Sequence, residues 1–202
     1  MSRRRPNGDD PGTMPVELIA FTGDRRIQGA IPLADDRLSD MLNSVPRVVL
    51  RGADVRDLNG LPPATVDVTL AIGSIAVVLS NGRRGVETRR RRTDVHRVRL
   101  GIDRYVVTGW LHVPAGLPVD LASRDPSTVL AGRDLLVPLS DATLAYESAG
   151  LPATESCEII LINRSLATWM EFDDGSSDDF DAVVEKPKVY HAAMAKDFTG
   201  AT

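Results

Sequence analysis

The chain has 202 residues and a mass of 21.8 kDa, with 43% hydrophobic and 26% charged residues, an ordinary globular balance that can bury a core in one or two compact domains. A net charge of −4 and an isoelectric point near 5.4 argue against a surface built as a whole to meet nucleic acid or an anionic membrane, although a local basic patch fits within that total. The single cysteine, Cys157, rules out an intramolecular disulfide framework and fits a reducing compartment, so a cytoplasmic location is expected.

Residues 1–14 open on arginines but continue polar. The apolar run VELIAF that follows is shorter than the ~7 to 15 residues of a signal peptide's apolar region, so this stretch reads as a disordered arm. No apolar run approaches the ~20 residues that would span a bilayer. From residue 16 the dominant period is two. A strand over 16–22 and a second carrying Ile27, Gly29, Ile31 and Leu33 on one face, with Arg26, Gln28, Ala30 and Pro32 on the other, are joined by Gly23-Asp24 and predict a half-exposed hairpin. The next segment, ADDRLSDMLNS, predicts a short helix capped by Asp35 or Asp36, with Leu38, Met41 and Leu42 as a narrow apolar stripe and Asn43 near the stop. A strand over 47–55 follows. The closing hairpin alternates Val66, Val68 and Leu70 with Asp67 and Thr69, turns at Gly73-Ser74, and ends on residues 75–79, which are apolar on both faces.

Residues 82–94 form an Arg-rich linker, and then the pattern returns. A strand over 96–102, the turn Asp103-Arg104 and a strand over 105–113 place Tyr105, Val107, Gly109, Leu111 and Val113 on one face and Val106, Thr108, Trp110 and His112 on the other. Pro118 and Pro126 leave room for a helical turn or two. A strand over 135–146 follows, where Pro138 marks an edge or a bulge. The last hairpin carries Cys157, Ile159 and Leu161, a turn near Asn163-Arg164, and residues 166–170. Cys157 reads there as a small buried hydrophobe rather than a nucleophile.

Laid over each other, the two halves match. Gly29 falls on Gly109, Ile31 on Leu111 and Leu33 on Val113, and GLPPATVDV runs over GLPATESCE downstream. The period is too long for a solenoid and fits a duplicated small domain. A unit of ~55 to 65 residues buries only about 60% of its unfolded surface and is marginal alone, so the copies are expected to shield each other as the subunits of a dimer would. The expected fold is therefore mainly β. Two tandem β-β-α-β-β modules, residues 15–81 and 95–171, pack as a pseudo-twofold β-barrel or sandwich with short helices, the final strands inside the shared sheet, and disordered termini.

Gly29, Arg37-Leu38-Ser39-Asp40 and Leu42-Asn43 in the first half, with Gly109, Leu111-His112-Val113-Pro114 and residues 138–143 in the second, carry a likeness to known sequences. On these residues each half resembles an uncharacterised family of bacterial domains of unknown function. The resemblance implies a small β-rich module and brings no catalytic residues. A looser likeness, of topology only, is to Sm-like barrels, which also pair a helix with a strongly bent sheet.

His96, His112 and His191 show no metal-clamp spacing, and the common phosphate-cradle and nucleophile-elbow motifs are absent, so neither a metal, a cofactor nor a catalytic group is expected. Trp110 beside His112 on an outer strand face reads either as a partner-binding spot or as a patch covered by the rest of the chain. Charge is the strongest signal outside the core. Arg83, Arg84, Arg89, Arg90, Arg91 and Arg92 form a cationic run, and residues 171–181, including Asp173, Asp174, Asp178 and Asp179, form an anionic one. In a pseudo-twofold body these opposite exits favour head-to-tail contact between molecules. Residues 172–202 continue as an acidic linker and arm, where Val189, Tyr190, Met194 and Phe198 suit docking to a partner or to the body. The expected function is a non-catalytic bacterial interaction, assembly or regulatory subunit, self-associating or bound to a protein partner. The alternative is a nucleotide or nucleic-acid-binding module using residues 83–92, a run without interleaved aromatics.

Overall fold

The computed structural model describes residues 14–33, 37–80, 93–115 and 125–173. The first half runs β1 (Met14–Thr22), β2 (Arg25–Leu33), α1 (Leu38–Ser44), β3 (Arg47–Asp57), β4 (Ala64–Ala71), a 3-10 turn (Ile72–Ser74) and β5 (Val77–Ser80). The second runs β6 (Thr93–Ile102), β7 (Tyr105–Pro114), α2 (Pro126–Val129), β8 (Leu136–Ser148), β9 (Leu151–Asn163), a 3-10 turn (Arg164–Leu166) and β10 (Ala167–Phe172). The protein is mainly β. The ten strands of the described residues form one antiparallel sheet in the order β10-β6-β7-β8-β9-β5-β1-β2-β3-β4.

Period two translates directly into burial. Ile27, Ile31 and Leu33 are buried while Gln28, Ala30 and Pro32 stay exposed, and in β7 Gly109 and Leu111 are buried between exposed Trp110 and His112. Pro138 lies in the central strand β8, just beyond the point where the β7–β8 ladder ends at Leu111 opposite Leu139. Its missing N–H therefore interrupts no pair to β7.

Four expectations are corrected. Each half holds five strands, and the closing pairs are not hairpins. The 3-10 turn after β4 carries the chain away, the Ala76 N–H donates to Phe21 O at 2.8 Å, and β5 pairs with β1 and β9. The two terminal strands also differ in place. All four residues of β5 are buried between two neighbours, as a strand with two apolar faces requires, whereas β10 pairs only with β6 and ends the sheet among the described residues. The helix start falls on Arg37, without a side-chain cap; Asp35 and Asp36 lie outside the described residues.

The fourth correction concerns symmetry. Read along the sheet, the second half runs fifth, first, second, third, fourth strand, and the first half runs in the same sense. A twofold axis would reverse one of them. The strand order of the described residues is therefore not that of a twofold pair.

Two cores flank the junction. One is built on the second half, with Val98, Leu100, Tyr105, Val107, Leu144, Ile160 and Ile162, and it takes in Phe21, Leu58, Val77 and Leu79 from the first. The other is built on the first half, with Leu18, Ile27, Ile31, Leu50 and Val78, and it takes in Leu136 and Leu161. Alternate residues of β5 and β9 thus point into different cores. The sheet passes between them and changes its buried face at the β9–β5 junction, which is why these strands are apolar on both sides.

Candidate interaction surface

The junction is stitched by polar groups as well as by the ladder. Asn163, fully buried at the end of β9, donates from Nδ2 to Ile75 O at 2.8 Å and to Gly73 O at 3.2 Å. Its own N–H donates to Ala76 O, and its Oδ1 accepts from Ser165 N and Oγ. Asn43, at the end of α1, forms a two-way pair with the backbone of Leu136: Nδ2 donates to the carbonyl and Oδ1 accepts from the N–H, both at 2.9 Å. Across β5 and β1, Arg26 of β2 forks onto Glu155 of β9, at 2.9 Å and 3.3 Å, and Tyr146 Oη donates to Glu155 Oε1 at 2.7 Å. Burial alone would raise the Glu155 carboxyl, but the hydrogen bonds from Arg26 and Tyr146 and the guanidinium charge outweigh it and hold the pKa below the usual range. Burial, with the bond to Glu155, pushes the Tyr146 phenol up to about 12. Phe21 packs edge to face on both Tyr105 and Tyr146, and Tyr105 Oη donates to Gly23 O at 3.1 Å.

Trp110 and His112 stand on the exposed face of β7. Trp110 keeps 38% of its surface in solvent, and the C-terminal residues expected as a possible cover lie outside the described residues. The Arg97 guanidinium lies 5.8 Å from the Trp110 ring centre, a cation–π contact. Arg97 also reaches Asp173, whose carboxylate is 4.0 Å from its Nη1 and whose N–H donates to Arg97 O. The His112 ring is held between Ser140 Oγ, at 2.8 Å from Nε2, and Thr93 Oγ1, at 3.4 Å from Nδ1. Trp110, His112 and Asp173 are thereby brought onto one region by neighbours that sequence reasoning passed over. Arg83, Arg84, Arg89, Arg90, Arg91, Arg92, Asp174, Asp178, Asp179, Tyr190, Met194 and Phe198 lie outside the described residues.

The third feature is the pair of sheet ends. β4 is exposed along Ala64 to Asp67 and at Thr69 and Ala71, with Val66 46% exposed. On β10, Trp169, Glu171 and Phe172 are half-buried, and the Trp169 indole folds back over Gly101, where a Cβ would have no room. Nothing in the local pattern of either segment marks it as an edge, because the neighbour a strand lacks is fixed by topology. Among the described residues no group of three or more His, Cys, Asp or Glu side chains could hold a metal, and no helix is long and apolar enough to cross a membrane. Compared with known proteins, the chain matches no family model, no curated protein and no solved structure.

Proposed function

We propose that the chain is two copies of one five-stranded module and serves as a non-catalytic assembly or regulatory subunit, associating with itself or with a protein partner. One observation carries this reading: the strand order runs in the same sense in both halves, leaving two different edges unpaired among the described residues at the ends of one sheet. An edge strand presents a row of backbone donors and acceptors ready for another chain, and a molecule with no such use for its edges usually covers or shortens them. The exposed Trp110, bracketed by Arg97 and His112, supplies the kind of amphipathic anchor on which protein interfaces concentrate their energy. The opposite charge runs at residues 83–92 and 171–181 add attraction that salt would screen.

Two measurements test it together. Sedimentation of the full chain across concentration and ionic strength reads self-association. Affinity purification of the full chain beside a chain ending at Asp173 reads partner capture by the C-terminal arm, with unchanged melting showing that the body is intact. A chain that stays monomeric throughout and captures the same proteins with and without the arm as an unrelated control does would end this reading. A melting shift with an oligonucleotide instead would favour the nucleic-acid alternative.

A further inference from the structure

The β9–β5 junction is a contact between the fourth strand of one half and the fifth strand of the other. The two ends of the sheet hold the strands in the same places of the two halves, unpaired on one side among the described residues. β4 precedes its 3-10 turn as β9 does, with Ala71 in the place of Asn163. β10 follows its turn as β5 does: Val77 pairs with Phe21 and Trp169 with Gly101, in each case one residue before the end of the first hairpin. We infer that β10 of one molecule pairs antiparallel with β4 of the next, repeating the internal junction and extending the sheet into a head-to-tail oligomer of this chain. This deepens the reading above by naming the partner as a second copy and the surface as the two edges.

The internal register fixes the external one. Inside the chain Val77 faces Ile162, Val78 faces Leu161, Leu79 faces Ile160 and Ser80 faces Ile159. Transferred to the ends, Trp169 faces Leu70, Met170 faces Thr69, Glu171 faces Val68 and Phe172 faces Asp67 of the neighbour. The ladder carries over unchanged because it is made by backbone, but the side chains are more polar. Three apolar positions of the internal junction, Leu79, Leu161 and Ile159, become Glu171, Thr69 and Asp67, and the Asn163 stitch is lost at Ala71. The external contact is therefore much weaker than the internal one and reversible, as suits a contact between molecules that fold first. Because the relation advances along the sheet, the products are rings or open filaments and not closed twofold dimers.

The test is cross-linking in a Cys157→Ser background, with Val68→Cys in one preparation and Glu171→Cys in another. Directly opposed residues of an antiparallel pair lie about 4.5 to 5.5 Å apart at Cα, within reach of a disulfide. Oxidation of the mixture should give cross-linked pairs containing one chain of each kind, while either preparation alone should give none. Cross-links within the Val68→Cys or the Glu171→Cys preparation alone would indicate a twofold contact and overturn the inference. So would a full-length chain that self-associates without mixed cross-links, and in that case the broader assembly reading survives. A second variant works by gain: Glu171→Leu with Asp67→Ile restores two of the three lost apolar positions of the internal junction and should lower the concentration for half-association at least tenfold in sedimentation. Thr69→Pro, which cannot rebuild the edge ladder, should abolish association at unchanged melting temperature. If neither variant moves the association of the intact chain, the edges are not the interface.

Discussion

At the scale of single residues, the firmest electrostatic statement concerns Glu155. Its carboxylate accepts a forked pair from Arg26 and a hydroxyl from Tyr146, and both charged side chains are mostly out of solvent, at 16% and 22% exposure. The folded pKa is lowered, so the unfolded chain binds more protons across the acidic window and stability rises with pH there. The contribution is complete above the unfolded carboxylate value of ~4.3 and is lost as pH falls through that value and then through the lower folded one. Tyr146 has the opposite sign. Its phenol is raised to about 12, so what it adds is complete below its unfolded value of ~10 and is lost as pH climbs toward about 12. Glu155→Gln keeps the shape and removes the charge. It should cost about 1 to 2 kcal/mol at neutral pH, since the forked bond is charge-assisted and Arg26 is left half-buried without its partner. Urea unfolding at a series of pH values checks this: the variant and the parent should differ at pH 7 and converge at low pH. A constant gap across the series would show that the pair acts through packing and not through charge.

At the scale of elements, the two glycines that match in sequence sit in unequal surroundings. Gly109 lies where the β7–β8 register shifts, between Thr108 and Trp110, and a Cβ there would stand 2.6 Å from Ala142 Cβ and 3.2 Å from Ala142 Cα. The obstacle includes backbone, held close by the left-handed Asp141 at φ 46. A Cβ on Gly29 would meet Leu50 Cβ at 3.3 Å, a side chain that can shift slightly. Gly109→Ala should therefore destabilise by about 2 to 3 kcal/mol and Gly29→Ala by less than about 1, which the two urea midpoints would show. Equal costs would mean that the halves do not differ here as the geometry says.

Much of this level was legible in the sequence. Period two gave the strands and their buried faces, Gly23-Asp24 and Asp103-Arg104 gave the first hairpins, and the two-faced apolar run at 75–79 correctly announced a central strand. The same reasoning misplaced the partners of β5 and β10, because a turn of three residues after β4 or β9 looks alike in sequence whether the next strand returns beside its predecessor or crosses to another. The junction asparagines, the Arg26–Glu155 pair and the contact of Asp173 with Arg97 all join residues far apart in the chain, whereas Arg97 and Trp110 face each other across the β6–β7 hairpin. No local periodicity encodes such contacts.

At the scale of the molecule, the change of buried face at the β9–β5 junction decides how the chain can fold. Val77 and Leu79 belong to the core of the second half, while Leu136 and Leu161 belong to that of the first. Neither half can complete its interior alone, and each would expose one apolar face of its junction strand together with an open ladder. Residues 93–173 made separately would lose Phe21, Leu58, Val77 and Leu79 from their core, at roughly 1.5 to 3 kcal/mol for each large side chain left unburied or unpartnered. That sum is comparable with the whole stability of a small domain, about 5 to 15 kcal/mol. The fragment should therefore show no cooperative melting as a monomer, whereas residues 14–173 in one chain should unfold in a single transition monitored by far-ultraviolet circular dichroism and by tryptophan fluorescence alike. The fragment should recover structure on mixing with residues 14–80, whose β5 supplies the missing edge and the missing Val77 and Leu79 at once. A fragment that melts cooperatively as a monomer would mean that the second core is self-sufficient, and the pairing of fourth with fifth strands would then be an ornament of the fold rather than the contact on which it depends.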